Sequence, residues 1–311
     1  MPPPLPHGID CHAATNLMTQ YKYRRSEHGM TDGSPIDKTG LESVDGFPFE
    51  VYVSPGGVER GQAVAERAQR TSEWLALTVG APSLPPVFVV GEKQWGQVAE
   101  YSGYGVVHAG STRVVIGQEQ PDFWATFIEM VWPGITPERR QSALTAFGGE
   151  LDPARFADFF ISHEISHLSH GEGWDEAPQS FWAQELFANL GMLGYITEVE
   201  SDHITALDAF VEATWSSSVK WPVQELERIR EPVEGNGDAG VCNYVWFEVG
   251  LIVIAKRLWG VAGVEGFRRL RDILVGPVLS TAQIADALAD FDPEVGQAIR
   301  NWPHFSFDKN S

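Results

Sequence analysis

His163-Glu164-Ile165-Ser166-His167 is the stretch on which the reading of this chain turns. Residues four apart stand one turn above each other on the same helical face. A helix here therefore stacks two imidazoles and sets a carboxylate beside the first. Two imidazoles so placed can hold one tetrahedral zinc ion, and the adjoining carboxylate can take a proton and pass it on. The surroundings predict a helix over 153–170, with Asp152 as N-cap, Pro153 at the first helical position and Gly171 as C-terminal stop. Ile161, Ile165 and Leu168 form one stripe, and Phe156, Phe160, His163 and His167 the opposite one. With buried-type residues on both faces, the helix is expected to run through the interior.

A catalytic zinc takes three protein donors and leaves one position open. Glu185, with seventeen residues between it and His167, is the candidate third donor. It falls on a helix beginning near Pro178 and is flanked by Phe181, Trp182, Leu186, Phe187 and Leu190. A carboxylate among such residues needs a partner, and a metal is one. Ala188 on the same face lets two helices approach, and Asn189 is placed to orient a ligand from behind. The rivals are His170, Asp175 and Glu176; the His170 side chain points about 60° away from that of His167.

Working outward, residues 1–44 carry Pro, Gly, Ser, Thr and charges with little apolar periodicity and read as a disordered tail. Alternation at Phe49, Val51 and Val53 predicts a strand, 58–79 an amphipathic helix, and Pro86–Val90 a buried strand. A short helix is expected around Trp95 and Val98, then strands at Tyr104–His108 and Arg113–Gly117. Helices follow over 121–132 and 136–147, and most of the chain from 178 onward reads as helix, with breaks near Pro222, Pro232–Gly240, Pro277 and Pro293. Strands early and helices late make this an α+β chain. The expected division is an α+β lobe over 45–170 that carries the histidine pair, and a helical lobe over 171–311 that carries Glu185.

Forty-two acidic residues against twenty-two basic ones give a formal charge of -20, which repels phosphate backbones and anionic lipid. Nucleic acid and membrane are therefore not expected partners. No run approaches the ~18 apolar residues of a membrane span. Two cysteines, Cys11 and Cys242, build no disulfide framework, and no export signal is visible, so the expected location is the cytoplasm. His108 reads as a packed strand histidine, and Arg268, Arg269 and Arg271 as a cluster paired with carboxylates. No Gly-x-Ser-x-Gly elbow and no phosphate loop is present.

The histidine pair with Glu164, followed by Glu185 on a second helix, resembles the gluzincin metallopeptidases, the group containing thermolysin and aminopeptidase N. Phe247-Glu248-Val249-Gly250-Leu251, Ala255–Gly260 and Gly266–Leu270 are similar to the helices after the active site in aminopeptidase N-like enzymes, so the likeness covers residues 45 to about 290 at pattern level. It implies a thermolysin-like two-lobed domain with zinc held by His163, His167 and Glu185 between the lobes. It also implies a hydrolase acting on a peptide or protein substrate with Glu164 as general base and acid. Three departures stand out. The spacing to Glu185 is one residue shorter than that group's usual one. The place of its exopeptidase motif is taken by Ala109-Gly110-Ser111-Thr112, without a glutamate. Its oxyanion-stabilising tyrosine falls at Phe247, for which Tyr244, one turn earlier, is the substitute, ahead of His203 and Tyr195. These departures feed an alternative, a non-catalytic or very slow binding protein on the same fold. Hydrolysis of a non-peptide amide is a third reading.

Overall fold

The computed structural model describes residues 36–80, 83–101, 103–120, 122–152, 156–170, 180–233 and 237–307. The fold is mixed α+β, with five strands inside the first 117 residues and helices dominating thereafter. Strands β1 (Glu42–Ser43), β2 (Val51–Val53), β3 (Val87–Val90), β4 (His108–Gly110) and β5 (Arg113–Gly117) form one sheet in the order β1-β2-β3-β5-β4. The central pairs β2/β3 and β3/β5 are parallel, and the two edge strands run antiparallel to their neighbours.

Helix α1 (Val58–Thr78) makes the crossover from β2 to β3, and α2 (Glu92–Val98) follows β3. Side chains alternate across a strand, and the two sheet faces separate accordingly. Val53, Val89 and Ile116 join the main core, while Phe88, Val90 and Val115 pack with Trp95 and Val98 of α2 in a smaller one. Strands buried on both faces read as apolar runs rather than as clean alternation.

Beyond the sheet come α3 (Asp122–Val131), α4 (Pro137–Ala146), α5 (Phe160–His167), α6 (Phe181–Val199), α7 (Ile204–Trp215), α8 (Gly237–Val275), α9 (Thr281–Ala289) and α10 (Pro293–Arg300). The helices after residue 180 share the main core with the inner sheet face. In α8 the backbone breaks at Gly263, with φ 51° and ψ -137°, a conformation glycine reaches without a Cβ penalty. No helix among the described residues is long and apolar enough to cross a membrane.

Several expectations need correction. Strand β1 and Lys38, which pairs with Glu50, lie inside the stretch assigned to the tail, whose residues 1–35 lie outside the described residues. The strand expected at Tyr104–His108 begins at His108 and takes in the small residues Ala109 and Gly110, which had suggested a turn. The helix expected over 153–170 is interrupted: Phe156 N–H reaches Asp152 O at 3.4 Å, turns then close by Phe159 N–H on Phe156 O and Ile161 N–H on Asp158 O, and the histidine helix runs from Phe160. Asp158 is held there by Arg60, at 2.7 Å. Pro153, Gly171 and Pro178, which the sequence assigned as helix start and stop signals, lie outside the described residues. Arg268 and Arg271 bond carbonyls, those of Thr78 and Ser169, rather than the carboxylates expected for them.

Candidate metal centre

Helix α5 is packed so that its histidines face α6. Ser162 meets Thr71 of α1 at 2.8 Å, and Ser166 returns its hydroxyl to Ser162 O at 2.7 Å. These two small residues let helices approach from both sides. The approach of α6 is closest at Gly191, where a Cβ would stand 2.2 Å from Ser166 Oγ. The sequence had pointed to Ala188 as the residue of close approach; Gly191 is the position that demands it. Arg271 Nε caps the far end of α5 through Ser169 O at 2.7 Å.

That packing brings together His163, His167 and Glu185, each about 98 % buried or more. His163 Nε2 lies 3.1 Å from Glu185 Oε2, His167 Nε2 lies 3.4 Å from the same oxygen, and the two Nε2 atoms are 3.2 Å apart. Metal–ligand bonds of about 2.0–2.1 Å in a tetrahedron put neighbouring donors about 3.3–3.4 Å apart. The three atoms form such a face.

Hydrogen bonds behind the histidines fix which nitrogen carries the proton. Asn189 Nδ2 donates to Glu248 Oε2 at 2.7 Å, which turns Asn189 Oδ1 toward His163 Nδ1, 3.0 Å away. His163 must then donate from Nδ1, leaving the Nε2 lone pair aimed at a carboxylate oxygen. Behind His167, Nδ1 lies 3.2 Å from His170 Nε2. Burial, then the His167 charge, lowers His170 to about 3, so His170 is neutral, and with its Nε2 as acceptor it would take the His167 Nδ1 proton and leave His167 Nε2 free for a metal. When both Nδ1 atoms donate outward, two lone pairs and a carboxylate oxygen face one another. Acceptors facing acceptors call for a cation.

The protein groups alone show the same surplus of negative charge. Burial would lower His163, yet the Glu185 hydrogen bond and the charges of Glu248, Glu185 and Glu164 raise it to about 9. Burial would raise Glu185, but the His167 charge and hydrogen bonds from both histidines hold it well below the usual carboxylate range. Burial pushes Glu164 up to about 7 against the pull of both histidines, and burial together with Glu185 pushes Glu248 up to about 8. The Tyr244 phenol lies against Glu185 and Glu248 and is pushed well above its ordinary value, first by burial and then by those carboxylates.

Glu164 is the one residue of 161–167 that keeps partial exposure, beside a cluster whose three donors are buried. Its Oε2 accepts the N–H of Ala109, on edge strand β4, at 3.2 Å. Val114, which pairs with Ala109, sends its N–H to Pro86 on the β3 side. The Ala109/Val114 pair is thus the one without hydrogen bonds between its members, and Ala109 turns both backbone groups off the sheet edge. Strand β5 is interior, because it inserts between β3 and β4, and β4 is the edge strand of the sheet on this side.

Of the remaining candidates, Phe247 is buried and stacks on Trp302 at 5.8 Å, in the core rather than at the cluster. Tyr195 bonds Glu200 at 2.7 Å, and His203 rests on Phe159. His108 is a packed strand histidine, accepting from Glu100 N–H and lowered to about 4 by burial. Asp175 and Glu176 lie outside the described residues. Sequence reasoning missed Glu248; the available signal was a lone charge in the apolar run Val245–Ile254. The chain matches no protein-family model and no curated protein.

Proposed function

We propose that this chain is a zinc-dependent hydrolase, a metallopeptidase of the gluzincin kind, on a thermolysin-like two-lobed domain whose lobes meet near residue 170. His163, His167 and Glu185 would hold the metal. The observation that carries the reading is the convergence of two Nε2 lone pairs and one carboxylate oxygen at 3.1–3.4 Å, beside a partly exposed glutamate. Two nitrogens and an oxygen in tetrahedral disposition suit zinc.

Bound zinc supplies the charge that acidifies water and polarises a carbonyl. The chain's own groups do the rest. Glu164, fixed at Oε2 by Ala109, takes a proton at its carboxylate and returns it to the departing amine. An extended peptide lies along the edge strand β4, where the Ala109 N–H is held by Glu164 and its carbonyl is left to accept from the substrate backbone. Tyr244, kept neutral by burial and by neighbouring carboxylates, remains a donor at working pH and serves the oxyanion.

The test is Glu164→Gln. Metal content, measured on purified protein beside a His163→Ala/His167→Ala variant, should equal that of the wild type. Cleavage of a peptide library should fall by about 10²–10⁴-fold, the usual contribution of a positioned acid–base group. Undiminished function in the glutamine variant would instead favour a binding protein.

A further inference from the structure

We propose that Glu248, on α8, is a positioning residue for the metal centre, which acts by locking the Asn189 amide in the orientation that leaves His163 Nε2 as a lone pair. This rests on the proposed metal site and names a residue that controls it from outside. Asn189 is fully buried between His163 and Glu248, and Glu248 is 1 % exposed. An amide has two nearly isosteric ends. Turned one way, Asn189 accepts from His163 Nδ1. Turned the other way, its NH₂ would face Nδ1, which would become the lone pair and move the proton to Nε2, where a cation must bind. Among the described residues, the Asn189 amide has no hydrogen-bond partner on α5 or α6 besides His163. Glu248 chooses, because its Oε2 accepts the Asn189 Nδ2–H at 2.7 Å and so leaves Asn189 Oδ1 to face His163 Nδ1. The other Glu248 oxygen, Oε1, is buried without a hydrogen-bond partner among the described residues.

Packing does not account for a carboxylate here. Glu248 stands in an apolar run, with Phe247, Val249 and Leu251 all buried around it. Replacing a buried charge by an apolar residue of similar size is often neutral or stabilising. A residue that served packing alone would be better as leucine. The relay also joins α8 to the histidine helix through α6, so the seating of α8 feeds directly into the ligand tautomer.

The experiment measures zinc affinity by chelator competition, with the thermal midpoint of the chelator-stripped protein alongside. Glu248→Leu is expected to weaken zinc binding by about 10–100-fold, the range for residues that orient a metal ligand, without lowering the thermal midpoint. In an Asn189→Ala background the same substitution should have no further effect. The isosteric swap N189D/E248Q, in which the new amide donates to the new carboxylate, should keep wild-type affinity and provides a test should the leucine variant not fold. Long-range ¹H–¹⁵N spectra of the zinc-loaded wild type should show His163 protonated at Nδ1. Wild-type affinity in Glu248→Leu, or an equal loss in the Asn189→Ala background, overturns the proposal while leaving the metal site standing. A wild type that takes up no zinc overturns both.

Discussion

Gly191→Ala tests whether helix packing sets the spacing of the three donors. The added Cβ would stand 2.2 Å from Ser166 Oγ, 2.7 Å from Ser166 Cβ and 3.2 Å from Phe267 Cζ. Rotating Ser166 moves its hydroxyl, which is already committed to Ser162 O, but not its Cβ. Carbon atoms in contact prefer about 3.5–4.0 Å, so α5 and α6 must part by about 1 Å at this level. Ser166 is the neighbour of His167, and Gly191 lies about 9 Å along α6 from Glu185 at 1.5 Å per residue. A displacement of that size, carried even in part to Glu185, exceeds the ~0.2 Å latitude of metal–ligand distances. The variant should lose about 1–3 kcal/mol of stability from overpacking, at about 2–4 °C of thermal midpoint per kcal/mol for larger domains. Its zinc affinity should fall as well. Adding Ser166→Gly removes both clashing atoms and should return the affinity, though not the full stability, since glycine costs about 1 kcal/mol inside a helix. Chelator competition and thermal melts of the stripped proteins supply both numbers. If Gly191→Ala melts lower yet binds zinc as tightly as the wild type, donor spacing does not depend on this contact and the reasoning fails.

Glu185→Ala should weaken zinc binding by more than the ~100-fold upper end expected for a merely supporting residue, as seen in the same competition assay; a smaller loss would remove Glu185 from the ligand set. Stability against pH follows from the shifts of the protein groups. Glu164 and Glu248 are raised to about 7 and about 8 and His163 to about 9, so between their ordinary values and these values the folded chain binds more protons than the unfolded one. Protein stripped of metal should therefore lose stability as pH rises toward about 9, and a midpoint that climbs from pH 6 to 9 would contradict the assignment. Glu200, held at about 2 by Arg67 and Arg70 against burial, gives the opposite limb, lost as pH falls from the ordinary carboxylate value toward about 2. Zinc should flatten the alkaline limb, since the cation takes the place of the protons.

The site was legible because its spacing is local. His163 and His167 share a face by helical period alone, and the flanks of Glu185 announced a buried carboxylate needing a partner. Asn189 followed from the same period and does sit behind His163. What stayed hidden depends on pairings distant in sequence. Glu248 meets Asn189 across 59 positions, and no periodicity links them. Nothing in the order of β4 and β5 says that the later strand goes inside. The low strand propensity of Ala109 and Gly110 was overridden by pairing with Val114 and Arg113. Helix α5 itself begins at Phe160 after the turns at 156–159, where Asp158 is tied to Arg60; the expected start at Pro153 lies outside the described residues.

Whether the metal would staple the fold or serve chemistry turns on the fourth coordination position. Structural zinc sites are closed by four protein ligands, and catalytic ones keep a position open. Among the described residues no further His, Cys, Asp or Glu joins His163, His167 and Glu185. Beside them stands Glu164, tethered to β4 and partly exposed. Glu172, Asp175 and Glu176, outside the described residues, are the carboxylates between the two ligand helices in sequence that could close the site. Converting all three to amides, E172Q/D175N/E176Q, is expected to leave zinc affinity unchanged within about threefold, well short of the 10–100-fold that even a supporting residue contributes. A loss beyond about 100-fold would make one of them a fourth ligand, close the site, and turn Glu164 from an acid–base group into a hydrogen-bond partner of the edge strand.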